Sequence, residues 1–403
     1  MNNDPGTHPI LYKIGFNLYK INPKFFELGQ EVLAIPNKVA QATNFKEKED
    51  KKNFISSRVD SVVLEMTVIC NLRCTMCWWW GEKGIVFDMI KNKDSMVTQE
   101  LTTQELKNTI DQLITMGANN FYLSGGEPFI RKDTIDIIEY ISSKGISVCT
   151  NNNGTIIDDA TLERVAKCKT LTINFSLDGP EDVHDKIRGK GTYQKTLGTI
   201  RKLVALRGKN AYPAIKTNTT FSPWIVGRVD GLIKELQETG QDGIRLQHLW
   251  FTDNEHAEAH KEAIKQAFGI ENDRGAFTHV ISRPAPDYIE RLADEIALIE
   301  KTKYKVPVFL HPRLPREKIT KYYSDLEFSK TETCGAGWHN VLVKANGDLM
   351  FCPDEWMTKF NIGNVRQGPI KEMWNNDKAK LFRKELGARG LFPACKRCCA
   401  ISS

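Results

Sequence analysis

Between residues 61 and 248, short apolar runs alternate with amphipathic helical patterns, the sequence mark of a parallel sheet covered by helices. Six strands are predicted: SVVLEMTV (61–68), NFYLSG (120–125), ISVCTN (146–151), LTINFSL (171–177), AIKTNTT (214–220) and GIRLQHL (243–249). Thr102 followed by Glu105 forms a capping box before LKNTIDQLITMG, a helix that ends at a glycine. Six strands are too few for a closed eight-fold barrel. Near the far end, NVLVKANGDLMFC alternates on both sides of Asn346-Gly347 and predicts a hairpin, followed by a helix from Ile370 to Leu386. The fold class is therefore α/β, in four parts: an extension at 1–60, a barrel at 61–250, an insertion or linker at 251–333 that could cover substrate, and a small hairpin-plus-helix domain at 334–403. Residues 1–60 mix aromatic and aliphatic positions irregularly around Pro23 and Pro36, and are expected to pack against the barrel.

Composition narrows the partners. Of 403 residues, 41% are hydrophobic and 26% charged, as in a globular protein, and the net charge of +6 is dispersed rather than gathered into a nucleic-acid face. No apolar run approaches the length of a membrane span, and the start MNNDPGTHPILYK lacks the order of a secretory signal, so a cytoplasmic protein is expected. In that reducing compartment its ten cysteines are better explained by metal or catalysis than by disulfides. Cys149 and Cys168 stand apart in apolar contexts and read as small buried hydrophobes. His256 and His260 have i, i+4 spacing, but read as part of a solvated charged helix.

Cys70, Cys74 and Cys77 in CNLRCTMC have the spacing C-x3-C-x2-C, which can wrap three irons of a 4Fe-4S cube and leave the fourth open. The same three thiols also suit a zinc site completed from elsewhere, or a structural cluster. The spacing resembles the signature of the radical S-adenosylmethionine (radical SAM) superfamily. That resemblance implies a partial (β/α)6 TIM-like barrel with a wide mouth, in which the cofactor chelates the open iron and yields a 5'-deoxyadenosyl radical that abstracts hydrogen. Every motif that follows falls at the C-terminal end of a predicted strand, where barrel enzymes keep their chemistry.

Gly125-Gly126-Glu127-Pro128 follows the second strand and is similar to the family's motif for the methionyl amine. Its glycines let the backbone approach a ligand, and a carboxylate or carbonyl there can accept from an ammonium. TNNNGT (150–155), with Asn152, offers amides to ribose hydroxyls. SLDGPEDVHDKIRGKGTY resembles a stretch of family members that carry an extra cluster domain, which places Ser176, Asp178 and Arg188 near the cofactor, Arg188 suiting its carboxylate. Gln247 and His248 end the sixth strand and are expected to line the pocket floor. Met76 stands before Cys77, where the family usually has an aromatic residue against adenine; a thioether can also pack on a ring. The Trp78-Trp79-Trp80 run divides between core and cavity wall.

Cys334, Cys352, Cys395 and Cys398 supply four thiolates at the ends of the predicted hairpin and helix, with Cys399 a spare or a substitute for Cys398. The arrangement resembles the twitch domain, a shortened SPASM domain, and implies one auxiliary 4Fe-4S cluster; four thiolates suit zinc equally well. By resemblance the chain is a radical SAM enzyme fed by an external donor such as flavodoxin or ferredoxin. Its expected action is oxidation or epimerisation of a small polar metabolite or carbohydrate. A peptide maturase and a non-catalytic iron-sulfur or zinc protein are the alternatives.

Overall fold

A computed structural model describes residues 50–81, 84–352 and 356–398; residues 1–49 of the expected 1–60 extension and Cys399 lie outside the described residues. The six predicted strands form β1 (Ser61–Thr67), β2 (Asn120–Gly125), β3 (Ser147–Asn152), β4 (Leu171–Ser176), β5 (Ala214–Thr220) and β6 (Gly243–Gln247). All pair in parallel, in chain order. Two strands extend this run. Val308–His311 (β7), inside the segment expected as a cover, pairs in parallel with β6, and Asn340–Val343 (β8) pairs in parallel with β1. The hairpin continues through β9 (Asp348–Met350) and β10 (Gly363–Asn364), both antiparallel, and β7 ends the other side, so the sheet is open. The small domain thus shares one sheet with the barrel.

The outer face buries Leu64, Phe121, Leu123, Val148, Ile173 and Ile244 against helices such as α1 (Thr103–Thr115) and α2 (Thr134–Ser143). Helix α1 starts at the predicted capping box: the Glu105 N–H donates to Thr102 Oγ1, and the Thr102 N–H donates to Glu105 Oε2 at 2.8 Å. Further helices follow as α3 (Asp159–Val165), α4 (Glu181–Arg188), α5 (Thr192–Arg207), α6 (Val229–Leu236), α7 (Asn254–Phe268), α8 (Pro286–Lys301) and α9 (Arg316–Ser324). The predicted helix at Ile370 to Leu386 divides into a turn at Ile370–Met373 and α10 (Asp377–Arg389), because the Asn376 side chain accepts from the Ala379 N–H and starts a new helix. No helix among the described residues is long and apolar enough to cross a membrane.

Both histidines of interest outside the cysteine motifs are structural. His260 on α7 is buried, its Nε2 3.1 Å from the Trp356 carbonyl while Nδ1 accepts from the Ala394 N–H, and it docks the helix onto the turn that holds Cys395. His256 lies between Asp253 and Glu327.

His248 does not line a pocket floor: it is buried with Nδ1 2.9 Å from the Tyr323 hydroxyl, among Phe221, Tyr322 and Tyr323. Burial holds its pKa down to about 3, from an ordinary 6.5. The folded value is depressed, so this contribution to stability is full above pH 6.5 and is lost as pH falls toward about 3. Between about pH 6.5 and 4.5 the wild type is expected to lose about 2–3 kcal/mol more unfolding free energy than His248→Phe, at roughly 1.4 kcal/mol per pH unit. Denaturant titrations at several pH values check this, and parallel pH profiles would refute it.

Candidate active site

The loop after β1 carries Cys70, Cys74 and Cys77, and three neighbouring segments hold it. The first is the Gly125–Pro128 turn, whose Gly126 N–H donates to the Thr67 carbonyl at 2.7 Å and Glu127 N–H to the Ile69 carbonyl at 2.9 Å. A Cβ on Gly125, at φ +125°, would sit 2.2 Å from the Thr67 carbonyl oxygen, and one on Gly126 2.2 Å from that of Ile69. The close approach that these glycines permit is therefore to the backbone leading into Cys70. The Glu127 carboxylate is committed to the fold as well. It is 1% exposed and accepts from the Phe129 N–H at 3.1 Å and the Asn153 N–H at 2.7 Å, while burial pushes its pKa up to about 7. Pro128 opens the short turn that Glu127 caps.

The second segment is the TNNNGT loop after β3. Asn153 Nδ2 donates to Asn71 Oδ1, and Asn71 Nδ2 donates to Thr155 Oγ1, both at 2.9 Å. Its neighbour Asn152 donates Nδ2 to the Asn174 carbonyl at 3.0 Å and leaves Oδ1 buried without a partner. Asn218 on β5 repeats the pattern: Nδ2 donates to Asn151 Oδ1 at 3.0 Å, and its own Oδ1 is buried and unpartnered. Two amide oxygens with no partner among the described residues, at the C-terminal ends of β3 and β5 on either side of β4, are acceptors suited to a ligand that donates, since buried polar atoms are otherwise satisfied. Asn218 escaped the sequence reading because AIKTNTT holds no motif around it.

The third segment is α4. The Thr75 N–H donates to the Ile187 carbonyl at 2.9 Å, and Arg188 directs Nη1 at Cys74 Sγ, 3.8 Å away. Arg188 Nε donates to Asp178 Oδ2 at 2.6 Å, and Asp178 in turn accepts from the Thr220 N–H and donates its own N–H to His184 Nδ1. Asp178 is thus the internal partner that aims the guanidinium. Ser176 is half-buried beside Asn218 in register, Gln247 is half-buried opposite Thr220, and Met76 is half-buried in the turn between Cys74 and Cys77.

Burial pushes the Cys70 thiol up to about 12 and raises that of Cys74, where the Arg188 charge opposes it. Unaided, these thiols stay protonated; a cationic metal centre supplies the charge that makes them ligands. Backbone N–H groups of Leu72 and Trp80 already point at the sulfurs of Cys70 and Cys77, at 3.4 and 3.3 Å. At the other end, Cys352 lies two residues beyond the end of β9, the Ala336 N–H donates to Cys334 Sγ, and a tight turn through Pro393–Arg397 links Cys395 with Cys398.

Inside the barrel, every second residue faces a lumen. The alternation of half-buried with buried positions puts Tyr122, Ser124, Cys149, Asn151, Asn218, Thr220, Arg245 and Gln247 on that face. The Asn218–Asn151 bond and a contact from Asn174 Nδ2 to Cys149 Sγ, at 3.1 Å, cross it. Cys149 is thus a half-buried lumen residue rather than a core hydrophobe, whereas Cys168 is buried. Closed eight-fold barrels fill this space with packed aliphatic layers; here these positions are half-buried and mostly polar.

An open parallel barrel with a three-cysteine loop at its C-terminal rim and a four-cysteine domain on its edge defines an iron-sulfur radical enzyme. The chain belongs to the radical SAM superfamily, which matches residues 64–223, and residues 334–399 match the iron-sulfur cluster-binding SPASM domain. It therefore takes a 4Fe-4S cluster and S-adenosylmethionine at the barrel, with auxiliary iron-sulfur binding in the C-terminal domain. It is similar to Fe-coproporphyrin III synthase of Methanosarcina barkeri, with 25% identity over 86% of this chain and 82% of that protein. The mycofactocin maturase MftC of Mycolicibacterium smegmatis is 28% identical over 83% of this chain and 74% of its own. The crystal structure of Streptococcus suis SuiB superposes with a TM-score of 0.60 at 14% identity, covering 95% of this chain and 87% of that one.

Proposed function

We propose that this enzyme removes hydrogen from a C–H bond of a small polar molecule held in the barrel lumen. The observation that carries this reading is the hydroxyl- and amide-bearing inner face between Ser124 and Gln247, open at the rim that bears Cys70, Cys74 and Cys77. Those three cysteines would hold the radical-generating cluster, and Cys334, Cys352, Cys395 and Cys398 one auxiliary cluster. With Glu127 engaged internally, the backbone carbonyls of the Gly125–Pro128 turn are left to meet the cofactor's ammonium. Asn152 and Asn218 would accept from its hydroxyls, Ser176 and Gln247 would flank them, and Met76 would lie against the adenine. Arg188, aimed by Asp178, would serve both the cofactor carboxylate and the thiolate of Cys74. The bound cofactor supplies a 5'-deoxyadenosyl radical after one-electron reduction, for which a flavodoxin or ferredoxin would be the donor; the protein's part is orientation and exclusion of water.

A second reading, a maturase acting on a peptide, is favoured by the 28% identity to MftC. The experiment for the shared chemistry is anaerobic reconstitution with iron and sulfide, followed by dithionite and S-adenosylmethionine. Release of 5'-deoxyadenosine is expected from the wild type, and its absence from fully iron-loaded protein would refute the proposed function.

A further inference from the structure

An aromatic group bridges the mouth of the barrel. Trp78 follows the last cysteine of the loop after β1, and Trp250 stands three residues beyond the end of β6, five strands away in the sheet. Both rings lie nearly parallel to His279, with centroids 5.8 and 6.3 Å away and interplanar angles of 22° and 29°. Trp356, from the cysteine-bearing C-terminal domain, stacks on the same imidazole at 4.4 Å. His279 and Trp356 are buried behind, while Trp78 and Trp250 remain half-exposed.

Two indole nitrogens of this group, Trp250 Nε1 and Trp356 Nε1, are buried with no hydrogen-bond partner among the described residues, as is His279 Nε2, an acceptor because Nδ1 donates toward the Gly275 carbonyl. Indole N–H groups only donate, so a complementary ligand must bring acceptors. The parallel rings offer apolar π-faces and no formal charge, because burial holds the His279 pKa down to about 4. Two buried, unanswered indole donors beside stacked rings are costly in a site without a ligand. A saturated polyol could use the donors but would leave the faces uncovered.

We propose that Trp78, Trp250, His279 and Trp356 form the substrate-binding wall, and that the substrate carries a planar conjugated ring system bearing carbonyl or carboxylate acceptors. This rests on the lumen being the substrate site: the polar periphery would enter the lumen while the conjugated plane lies against Trp78 and Trp250. His279, clasped by Trp356, fixes the tilt of both indoles.

The test uses the reconstituted full chain with S-adenosylmethionine and coproporphyrin III, a planar conjugated macrocycle with carboxylate acceptors, as probe. Binding is expected to shift the porphyrin absorption band and quench tryptophan fluorescence. In Trp78→Leu and Trp250→Leu the dissociation constant rises about tenfold or more, whereas Trp250→Phe, which keeps a stacking ring but loses the N–H, shows a rise of about threefold. Circular dichroism and iron content establish that each variant is folded, and Trp356→Phe serves where a leucine variant is not. No binding to the wild type, equal binding by folded leucine variants, or displacement of the porphyrin by excess myo-inositol would each overturn the proposal. If the wild type also released no 5'-deoxyadenosine, the proposed function itself would fall; release without porphyrin binding would remove only the present inference.

Discussion

Replacing Cys74 by alanine is expected to abolish 5'-deoxyadenosine release, by at least about a thousandfold, while iron in the C-terminal domain is retained. Cys74 is the most enclosed of the three thiols, at 8% exposed, and the one faced by Arg188. Its loop is fixed by backbone bonds to the Gly125–Pro128 turn and to α4, so no neighbouring thiol can slide into its place. The cysteines of the C-terminal domain belong to other segments. A cluster with two protein thiolates on this loop would be lost or displaced, since three are needed to leave a single open iron. Cys334→Ala is the companion variant: it should lower iron per chain yet still release 5'-deoxyadenosine in the absence of substrate, because Cys334 belongs to a segment separate from the loop that bears Cys70, Cys74 and Cys77. Iron and sulfide analysis with product chromatography separates the two. Loss of release in a folded, barrel-loaded Cys334→Ala would show that the two sites do not act separately.

How far the sequence reaches depends on the range of the interaction that fixes each feature. The cysteine loop, the Thr102–Glu105 capping box and the strands β1 to β6 are set by neighbours within a few residues, and their patterns were readable. Strand β7 was not, because VFLH is short and gains its identity only from pairing with β6. The parallel docking of β8 on β1, which makes the C-terminal domain an extension of the barrel sheet, joins segments from opposite ends of the chain and leaves no local trace. The same distinction runs through the site. The Gly125–Pro128 motif was visible, but the reason for its glycines, contact with Thr67 and Ile69, appears only once β1 and β2 are side by side. The convergence of Trp78, Trp250, His279 and Trp356 draws on four separate segments, and only the tryptophan run drew notice in the sequence.

The second large effect concerns a buried cation that ties the C-terminal domain to the segment leading into the barrel. Arg383 on α10 is fully buried. Its Nε donates to the Gly337 carbonyl at 2.6 Å, Nη2 to the Trp374 carbonyl at 2.7 Å, and Nη1 to the Phe54 carbonyl and Asn375 Oδ1 at 2.8 and 2.9 Å. Those acceptors come from the segment before β1, the stretch after Cys334 and the turn before α10, and Asn375 also exchanges two hydrogen bonds with the Ser56 backbone. Arg383→Met would fill a similar volume but leave three backbone carbonyls without this donor, at a cost of about 3–5 kcal/mol by analogy with other broken buried charge networks. Arg383→Lys should recover little of this, since an ammonium cannot reproduce the planar fork. Because Gly337 lies three residues after Cys334 while Phe54 leads into the barrel, the methionine variant is expected to lose its C-terminal iron at a lower denaturant concentration than its barrel iron. Unfolding followed by both fluorescence and iron release reads this directly. A methionine variant within about 1 kcal/mol of the wild type would mean that the guanidinium is merely accommodated, and that the pairing of β8 with β1 holds the two parts together.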